Sequence, residues 1–171
     1  MSRTVLAGAA LLAAALHVPA GASERAAIVA REVSAAVPGL TALYRELHAA
    51  PELPFQEVAT AAKLAARMCA LGFEVTEKVG RTGVVAVLRN GEGPVVLLRT
   101  DLDALPILEA SGLPYASTAT GTGPSGEPVP AMHACGHDVH MTSWLGAATA
   151  LAALRDRWRG TVVMIGQPAE E

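Results

Sequence analysis

The sequence predicts an α/β domain, in which a layered sheet packs against flanking helices. Segments with a helical period alternate along the chain with short apolar runs of the kind that form buried strands. Hydrophobic residues make up 51% of the chain and charged residues 17%, so there is enough apolar material for a core and wholesale disorder is excluded. Aromatic residues are only 4%, so we expect the helices to pack through alanine and aliphatic side chains.

Helical patterns dominate the first half of the chain. They are predicted at 24–37, 40–50 and 56–71. Pro38-Gly39 ends the first helix, Pro51 closes the second, and Gly72 is a natural stop for the third. The apolar side of the third helix is predicted to consist of Val58, Ala62, Ala65, Ala66 and Cys69. Cys69 is therefore expected to be buried.

Strand patterns follow at 73–79, 83–89 and 95–99. Asn90-Gly91 is a strong hairpin signal between the last two strands. Residues 95–98 are continuously apolar, as in a strand buried on both faces. A long loop rich in Gly, Pro, Ser and Thr is predicted at 113–130. A helix at 138–157 and a buried strand at 161–166 complete the pattern.

The first residues have the pattern of a signal peptide. Arg3 precedes an apolar run at 5–16, and the small residues Ala20 to Ser23 follow it. The run is shorter than the roughly 20 residues of a membrane-spanning helix, although an uncleaved N-terminal helix is the alternative. We expect 1–23 to be removed, leaving 24–171 as a periplasmic or secreted domain with no stable membrane span.

The net charge bears on possible binding partners, and the cysteine content bears on a possible disulfide bond. The formal charge is −3, which argues against a nucleic-acid-binding protein, because such proteins carry a basic stripe. Export would permit a disulfide bond between Cys69 and Cys135, the two cysteines of the chain. We favour two free cysteines with different roles.

Three polar clusters follow apolar strands or the long loop, where α/β sheets place their ligand sites. They are residues 99–103 with Asp101 and Asp103, residues 133–140 with Cys135 and His137, and Glu170-Glu171.

The Cys135-Gly136-His137 segment is the most informative of the three. A thiolate and an imidazole suit Zn²⁺ and similar metals, and the glycine between them lets both side chains turn toward one ion. Two alternatives stay open: a nucleophilic Cys135 with a neighbouring histidine, and a helix N-terminus where both residues are incidental.

The carboxylates can be interpreted in the same way. One of Glu170 and Glu171 could bind a metal while the other acts as general base; the alternative is an ordinary surface pair. Asp101 and Asp103 fall on one face of a strand and could accept hydrogen bonds from a ligating histidine. The alternative for these two is a solvated turn after the strand.

Four stretches, taken together and in this order, resemble the zinc aminoacylase and carboxypeptidase superfamily. They resemble in particular its branch of N-acyl-amino-acid amidohydrolases, which includes hippurate hydrolases and auxin-conjugate hydrolases. The matching stretches are 47–53 with 55–57 (LHAAPEL, FQE), 99–107 (RTDLDALPI), 132–138 (MHACGHD) and 167–171 (QPAEE).

The resemblance implies the N-terminal part of a dinuclear-metal peptidase-type catalytic domain with two divalent ions, Zn²⁺ or Mn²⁺. Cys135 would bridge the ions, His137 would bind one and Glu171 the other, and Glu170 would be the general base and acid. The superfamily's His-x-Asp motif is matched here by Asp101-Leu102-Asp103, so the histidine of that motif is replaced.

The implied reaction is hydrolysis of the amide bond of a small N-acyl or N-aminoacyl amino acid by a metal-bound hydroxide. Complete enzymes of the family are much longer, bring two further histidine ligands and have a dimerisation domain, so a full-length form would be a homodimer. Residues 1–171 alone are therefore expected to be inactive, with the strand 161–166 as an uncovered sheet edge. The alternatives are a non-catalytic, truncated metal-binding remnant and a cysteine hydrolase that uses Cys135 and His137.

Overall fold

The computed structural model describes residues 20–171; most of the predicted signal peptide lies outside the described residues. The elements are α1 (Ala20–Ala49), α2 (Val58–Ala70), β1 (Glu74–Val79), β2 (Gly83–Asn90), β3 (Val95–Asp101), β4 (Thr120–Thr122), β5 (Pro128–Pro130), α3 (His137–Ala153) and β6 (Gly160–Gln167). A 3₁₀ turn at Arg155–Arg157 precedes β6. The predicted α/β class is confirmed.

The two helices predicted on either side of Pro38 are one continuous helix, α1, so the predicted break is wrong. A proline in a helix removes one backbone hydrogen bond and crowds the preceding turn. Beyond Pro38, however, Leu43 and Leu47 are fully buried in the core. Their packing holds the second half of the helix, and the largely exposed segment before Pro38 belongs to the same uninterrupted helix.

This continuity also bears on the expectation that 24–171 has no stable membrane span. By length and composition alone, Glu24–Ala49 could cross a membrane, with a mean hydropathy of 1.3. Signal sequences and core helices of soluble proteins pass the same test. The last turns of α1, with Leu43, Leu47 and His48, are buried in the domain.

The main sheet has the strand order β1-β2-β6-β3. β2 pairs antiparallel with β1 and with β6, whereas β3 and β6 are parallel. The predicted hairpin at Asn90-Gly91 is therefore wrong, because β6 lies between β2 and β3. Parallel strands need a long crossover connection; here it contains α3, and it brings β6 into the middle of the sheet.

The edge strands of the main sheet are β1 and β3, and the predicted edge at 161–166 is wrong, since β6 pairs on both sides. Val95, Val96 and Leu97 are 69%, 50% and 57% exposed. The expectation that β3 is buried on both faces is therefore also wrong. Successive residues of a strand lie on opposite faces of the sheet, so both faces are open at the start of this edge strand.

The core lies between the sheet and the three helices. Its largest buried members include Leu43, Leu64, Met68, Leu102, Met141, Trp144 and Met164. In α2 the buried residues are Thr60, Ala61, Leu64, Ala65 and Met68. Cys69 is exposed, so its predicted burial is wrong. Alanines mark a helix face only weakly, and the two large side chains, Leu64 and Met68, decided which face packs inward.

The long connection before α3 contains a short hairpin of β4 and β5. Gln56 fastens it to the domain: its side-chain amide donates to the Thr122 carbonyl at 2.8 Å and accepts from the Thr122 N–H at 3.0 Å. The predicted loop is therefore partly regular and held in place.

Candidate metal centre

The three polar clusters predicted from the sequence meet at the carboxyl ends of the parallel strands β3 and β6. Since β3 and β6 are parallel, Asp101 lies beside Gln167, and the Leu102 N–H donates to the Gln167 carbonyl at 2.9 Å. Both chain segments leave the sheet in the same direction. The N-terminus of α3 carries the remaining cluster to the same place.

Cys135, His137 and Glu171 form a compact group of potential metal ligands. Their donor atoms all lie within 4.8 Å of one another. Gly136, between the first two, has φ +86°, in the left-handed region that costs other L-residues about 1–2 kcal/mol. The predicted bend at this glycine is confirmed: it turns Cys135 toward the side chain of His137, the first residue of α3.

The buried imidazole of His137 has its orientation set by a backbone contact. Its Nδ1 lies 2.8 Å from the Asp103 carbonyl oxygen, which can only accept, so Nδ1 carries the proton. In a neutral imidazole the lone pair is then on Nε2, which lies 3.6 Å from a carboxylate oxygen of Glu170 and 4.0 Å from one of Glu171. The side of the ring that could bind a metal therefore faces the carboxylates.

Asp103 is fully buried and supports two of the candidate ligands. Its Oδ2 accepts from the Glu171 N–H at 2.9 Å. Its Oδ1 lies 3.5 Å from Nδ1 of His137 but has no hydrogen-bond partner among the described residues, so it is the Asp103 carbonyl that holds the ring. Asp101 has different neighbours: its Oδ1 accepts from Nε of Arg99 at 2.8 Å, and its Oδ2 lies 3.6 Å from Nδ1 of His140. Of the two aspartates, it is Asp103 that contacts His137.

The electrostatics of the group favour a bound cation. A hydrogen bond to Glu171 and the charge of that carboxylate raise the pKa of the Cys135 thiol, and Glu170 and Asp101 add to the effect. A divalent ion among the three donors would offset this repulsion. Thiolate, imidazole and carboxylate together are a donor set that suits Zn²⁺ and similar ions, so the residues present fit such a metal.

The adjacent glutamates differ in environment. The side chain of Glu170 is 40% exposed and that of Glu171 is 18% exposed. Glu171 lies within the donor group, whereas Glu170 reaches the rim of the site, where water has access. This arrangement is compatible with separate tasks for the two carboxylates; their assignment as base and ligand stays a prediction.

His48, for which the sequence pattern predicted no role, is the centre of a buried ion-pair network. Its Nδ1 lies 2.7 Å from Asp138 and its Nε2 lies 3.0 Å from Glu109. Burial alone would lower the pKa of His48, but the hydrogen bonds to Glu109 and Asp138 raise it. The pKa of Glu109 is lowered to about 2, because its carboxylate accepts hydrogen bonds from Ser111, from the Ser117 N–H and from His48. The network ties α1 and the long connection to the first turn of α3.

His48→Ala is expected to lower the free energy of unfolding by about 3–5 kcal/mol, because it leaves two buried carboxylates without their cation. Because the pKa of His48 is raised, His48 contributes fully to the free energy of unfolding below pH 6.5, the ordinary pKa of histidine. This contribution is lost as pH rises through the pKa of His48 in the folded state. The contribution of Glu109 is present above 4.5 and is lost as pH falls toward 2. Denaturant unfolding across this pH range measures both effects.

Glu46→Ala is the control for that experiment, since Glu46 lies on the same helix but makes exposed ion pairs with Lys63 and Arg67. Exposed pairs of this kind contribute about 0–1 kcal/mol. Equal stability losses in the two variants, or a pH profile that His48→Ala leaves unchanged, would contradict the role given to the network.

His133 is a further buried imidazole at the site. Within the described part of the chain neither of its ring nitrogens has a hydrogen-bond partner. Burial lowers the pKa of His133 to about 4, so the ring is neutral near pH 7. No ligand role was predicted for His133, and His133 does not belong to the group formed by Cys135, His137 and Glu171.

Comparison with known proteins finds a family of peptidases and relatives that are named as hydrolases. Residues 97–171 match the family described as Peptidase family M20/M25/M40. N-acetylcysteine deacetylase of Bacillus subtilis is 44% identical over 129 residues, which are 74% of this chain and 32% of that protein. Hippurate hydrolase of Campylobacter jejuni is 42% identical over 127 residues, which are 74% of this chain and 30% of that protein.

A solved Bacillus subtilis structure described as a dinuclear metal binding peptidase from the M20 family shares the fold. Its TM-score is 0.67 at 38% identity, and the match covers 84% of this chain and 36% of the other. The chain thus spans about a third of the length of the curated relatives that it matches.

Proposed function

The chain carries a Peptidase M20 family domain, and from this premise we propose that it supplies metal ligands and the general base of an enzyme that hydrolyses the amide bond of N-acyl amino acids. The observation that carries the proposal is the convergence of Cys135, His137 and Glu171, with donor atoms within 4.8 Å, beside the more open carboxylate of Glu170.

Each residue has a task in this proposal. Cys135, His137 and Glu171 would hold divalent ions, Zn²⁺ or Mn²⁺, through a thiolate, an imidazole and a carboxylate. When bound, such ions polarise the amide carbonyl and make water a stronger nucleophile at neutral pH. Glu170 takes the proton of the attacking water and delivers it to the leaving amine. Asp103 keeps the imidazole of His137 and the backbone of Glu171 in place.

The substrate class follows from the relatives. One is named for the removal of an acetyl group from N-acetylcysteine and another for the hydrolysis of hippurate. Both substrates are small amino acids with an acyl group on the nitrogen. We propose the same class for this protein, with a full-length form that acts as a homodimer.

The test is metal removal from the full-length protein, assayed on a panel of N-acyl amino acids that includes N-acetylcysteine and hippurate. Chelation should abolish hydrolysis, because the attacking water loses its activation, and added Zn²⁺ or Mn²⁺ should restore it. For comparison, turnover is also measured after a metal-loaded sample has been treated with a thiol-alkylating reagent. Turnover that resists chelation but is lost on thiol alkylation would show a cysteine hydrolase and reject the proposal.

A further inference from the structure

Glu57 is a buried carboxylate near the candidate metal centre to which the proposed chemistry assigns no task. It lies just before the first residue of α2 and is fully buried. Burial of a charged group is costly unless hydrogen bonds compensate it. The Glu57 carboxylate therefore needs hydrogen-bond donors from other parts of the chain.

Its two oxygens accept from two distant parts of the chain. Oε2 accepts from the Thr82 hydroxyl at 2.6 Å, in the turn between β1 and β2. Oε1 accepts from the Ala169 N–H at 2.8 Å, directly before Glu170. The first contact fastens a turn to α2, and the second reaches the segment that carries the two proposed functional glutamates.

The backbone at Ala169 needs such a contact. Its φ is +49°, in the left-handed region that L-residues other than glycine rarely adopt. Two residues further on, the Glu171 N–H donates to Asp103 at 2.9 Å. The amides on either side of Glu170 are thus each held by a buried carboxylate, and the direction of the Glu170 and Glu171 side chains depends on both.

We propose that Glu57 is a positioning residue of the metal centre: it stabilises the left-handed turn at Ala169 that directs Glu171 toward Cys135 and His137 and places Glu170 beside them. This inference rests on the proposed function. Partners that orient a metal ligand typically change metal affinity or activity by about 10–100-fold when they are removed.

A variant pair separates this role from simple packing. Glu57→Ala removes both acceptors. Glu57→Gln keeps one oxygen for the Ala169 N–H, while its amide nitrogen can donate to the Thr82 hydroxyl, which accepts as well as donates. Glu52→Ala is the matched control, because the Glu52 side chain likewise accepts two hydrogen bonds, but from the Ala59 and Thr60 N–H groups rather than from 169–171.

The measurement is Co²⁺ binding to the metal-free full-length protein, followed through the cobalt absorption bands, which report the ligands and their geometry. Glu57→Ala is expected to bind Co²⁺ about 10–100-fold more weakly and to show altered bands. Glu57→Gln and Glu52→Ala should resemble the wild type. Wild-type binding and bands in Glu57→Ala, or an equal loss in Glu52→Ala, would overturn the proposal.

Two further variants keep the test decisive. If Glu57→Ala does not fold, Glu57→Asp replaces it, since the shorter side chain cannot reach both Thr82 and Ala169; the same loss is expected. Ala169→Gly combined with Glu57→Ala should recover part of the Co²⁺ affinity, because glycine adopts a positive φ without strain. No recovery would indicate that the turn is not what Glu57 controls.

Turnover of the N-acyl amino acid panel separates this inference from the proposed function. In an active enzyme, Glu57→Ala should lower kcat more than it changes KM, since the change acts on the segment that carries Glu170 and Glu171. A wild-type protein that binds Co²⁺ but hydrolyses no member of the panel would reject the proposed function, while the cobalt comparison would still decide the role of Glu57. A wild-type protein that binds no Co²⁺ would overturn the role of Glu57 directly.

Discussion

Glu170→Gln is expected to lower turnover by about 10²–10⁴-fold, the usual contribution of a positioned acid or base, while the metal content stays at the wild-type level. Glutamine has nearly the size of glutamate but cannot take a proton from water. The ligand group of Cys135, His137 and Glu171 is left intact by the change. Steady-state kinetics on the full-length enzyme, with elemental analysis of the same samples, measure both quantities.

Glu92→Gln is a suitable control, because Glu92 is exposed in the turn between β2 and β3, at the opposite end of the sheet. It should behave like the wild type in both measurements. Near wild-type hydrolysis by a metal-loaded Glu170→Gln enzyme would rule out the base. Loss of metal together with activity would instead make Glu170 a ligand.

Cys135→Ala is expected to have the largest effect on metal content, at least the roughly 10–100-fold loss of affinity that follows removal of even an outer partner. The thiolate is one of the three donors of the group, and without it the site loses a negative charge. Because Glu171 raises the pKa of the Cys135 thiol and the metal displaces the thiol proton, wild-type affinity should also increase with pH. Elemental analysis after dialysis against defined metal concentrations tests the variant.

Cys69→Ala is the matched control, since Cys69 is also a free, exposed cysteine but lies near the end of α2, outside the donor group. It should retain the wild-type metal content. Equal metal in the wild type and in Cys135→Ala would refute the ligand assignment. The result would then favour the interpretation in which Cys135 and His137 are incidental residues at a helix N-terminus.

Several features of the site were predictable because they depend on residues close together in the chain. A short apolar run followed by polar residues marks the carboxyl end of a strand, and this pattern located Asp101, Asp103, Glu170 and Glu171. Gly136 between Cys135 and His137 predicted a bend in the backbone, and the structure has a positive φ at this glycine. In each case the local pattern and its physical consequence span only a few residues.

Other features failed because competing contacts over long range outweighed the local signal. Pro38 is a strong helix breaker, yet the packing of Leu43 and Leu47 outweighed it. Asn90-Gly91 is a strong hairpin signal, yet β6, which comes much later in the sequence, took the place beside β2. Neither outcome can be read from a window of a few residues.

The sequence by itself determined the α/β class, the four strands of the main sheet and the polar residues that follow two of them, because hydrophobic period and turn chemistry are local. The tertiary structure alone decided the strand order, the exposure of Cys69 and the partner of each carboxylate. Glu57 and Ala169 are 112 residues apart in the chain, and His48 and Asp138 are 90 apart. Contacts at such separations form only when packing of the whole core closes the intervening chain, so no local pattern specifies them.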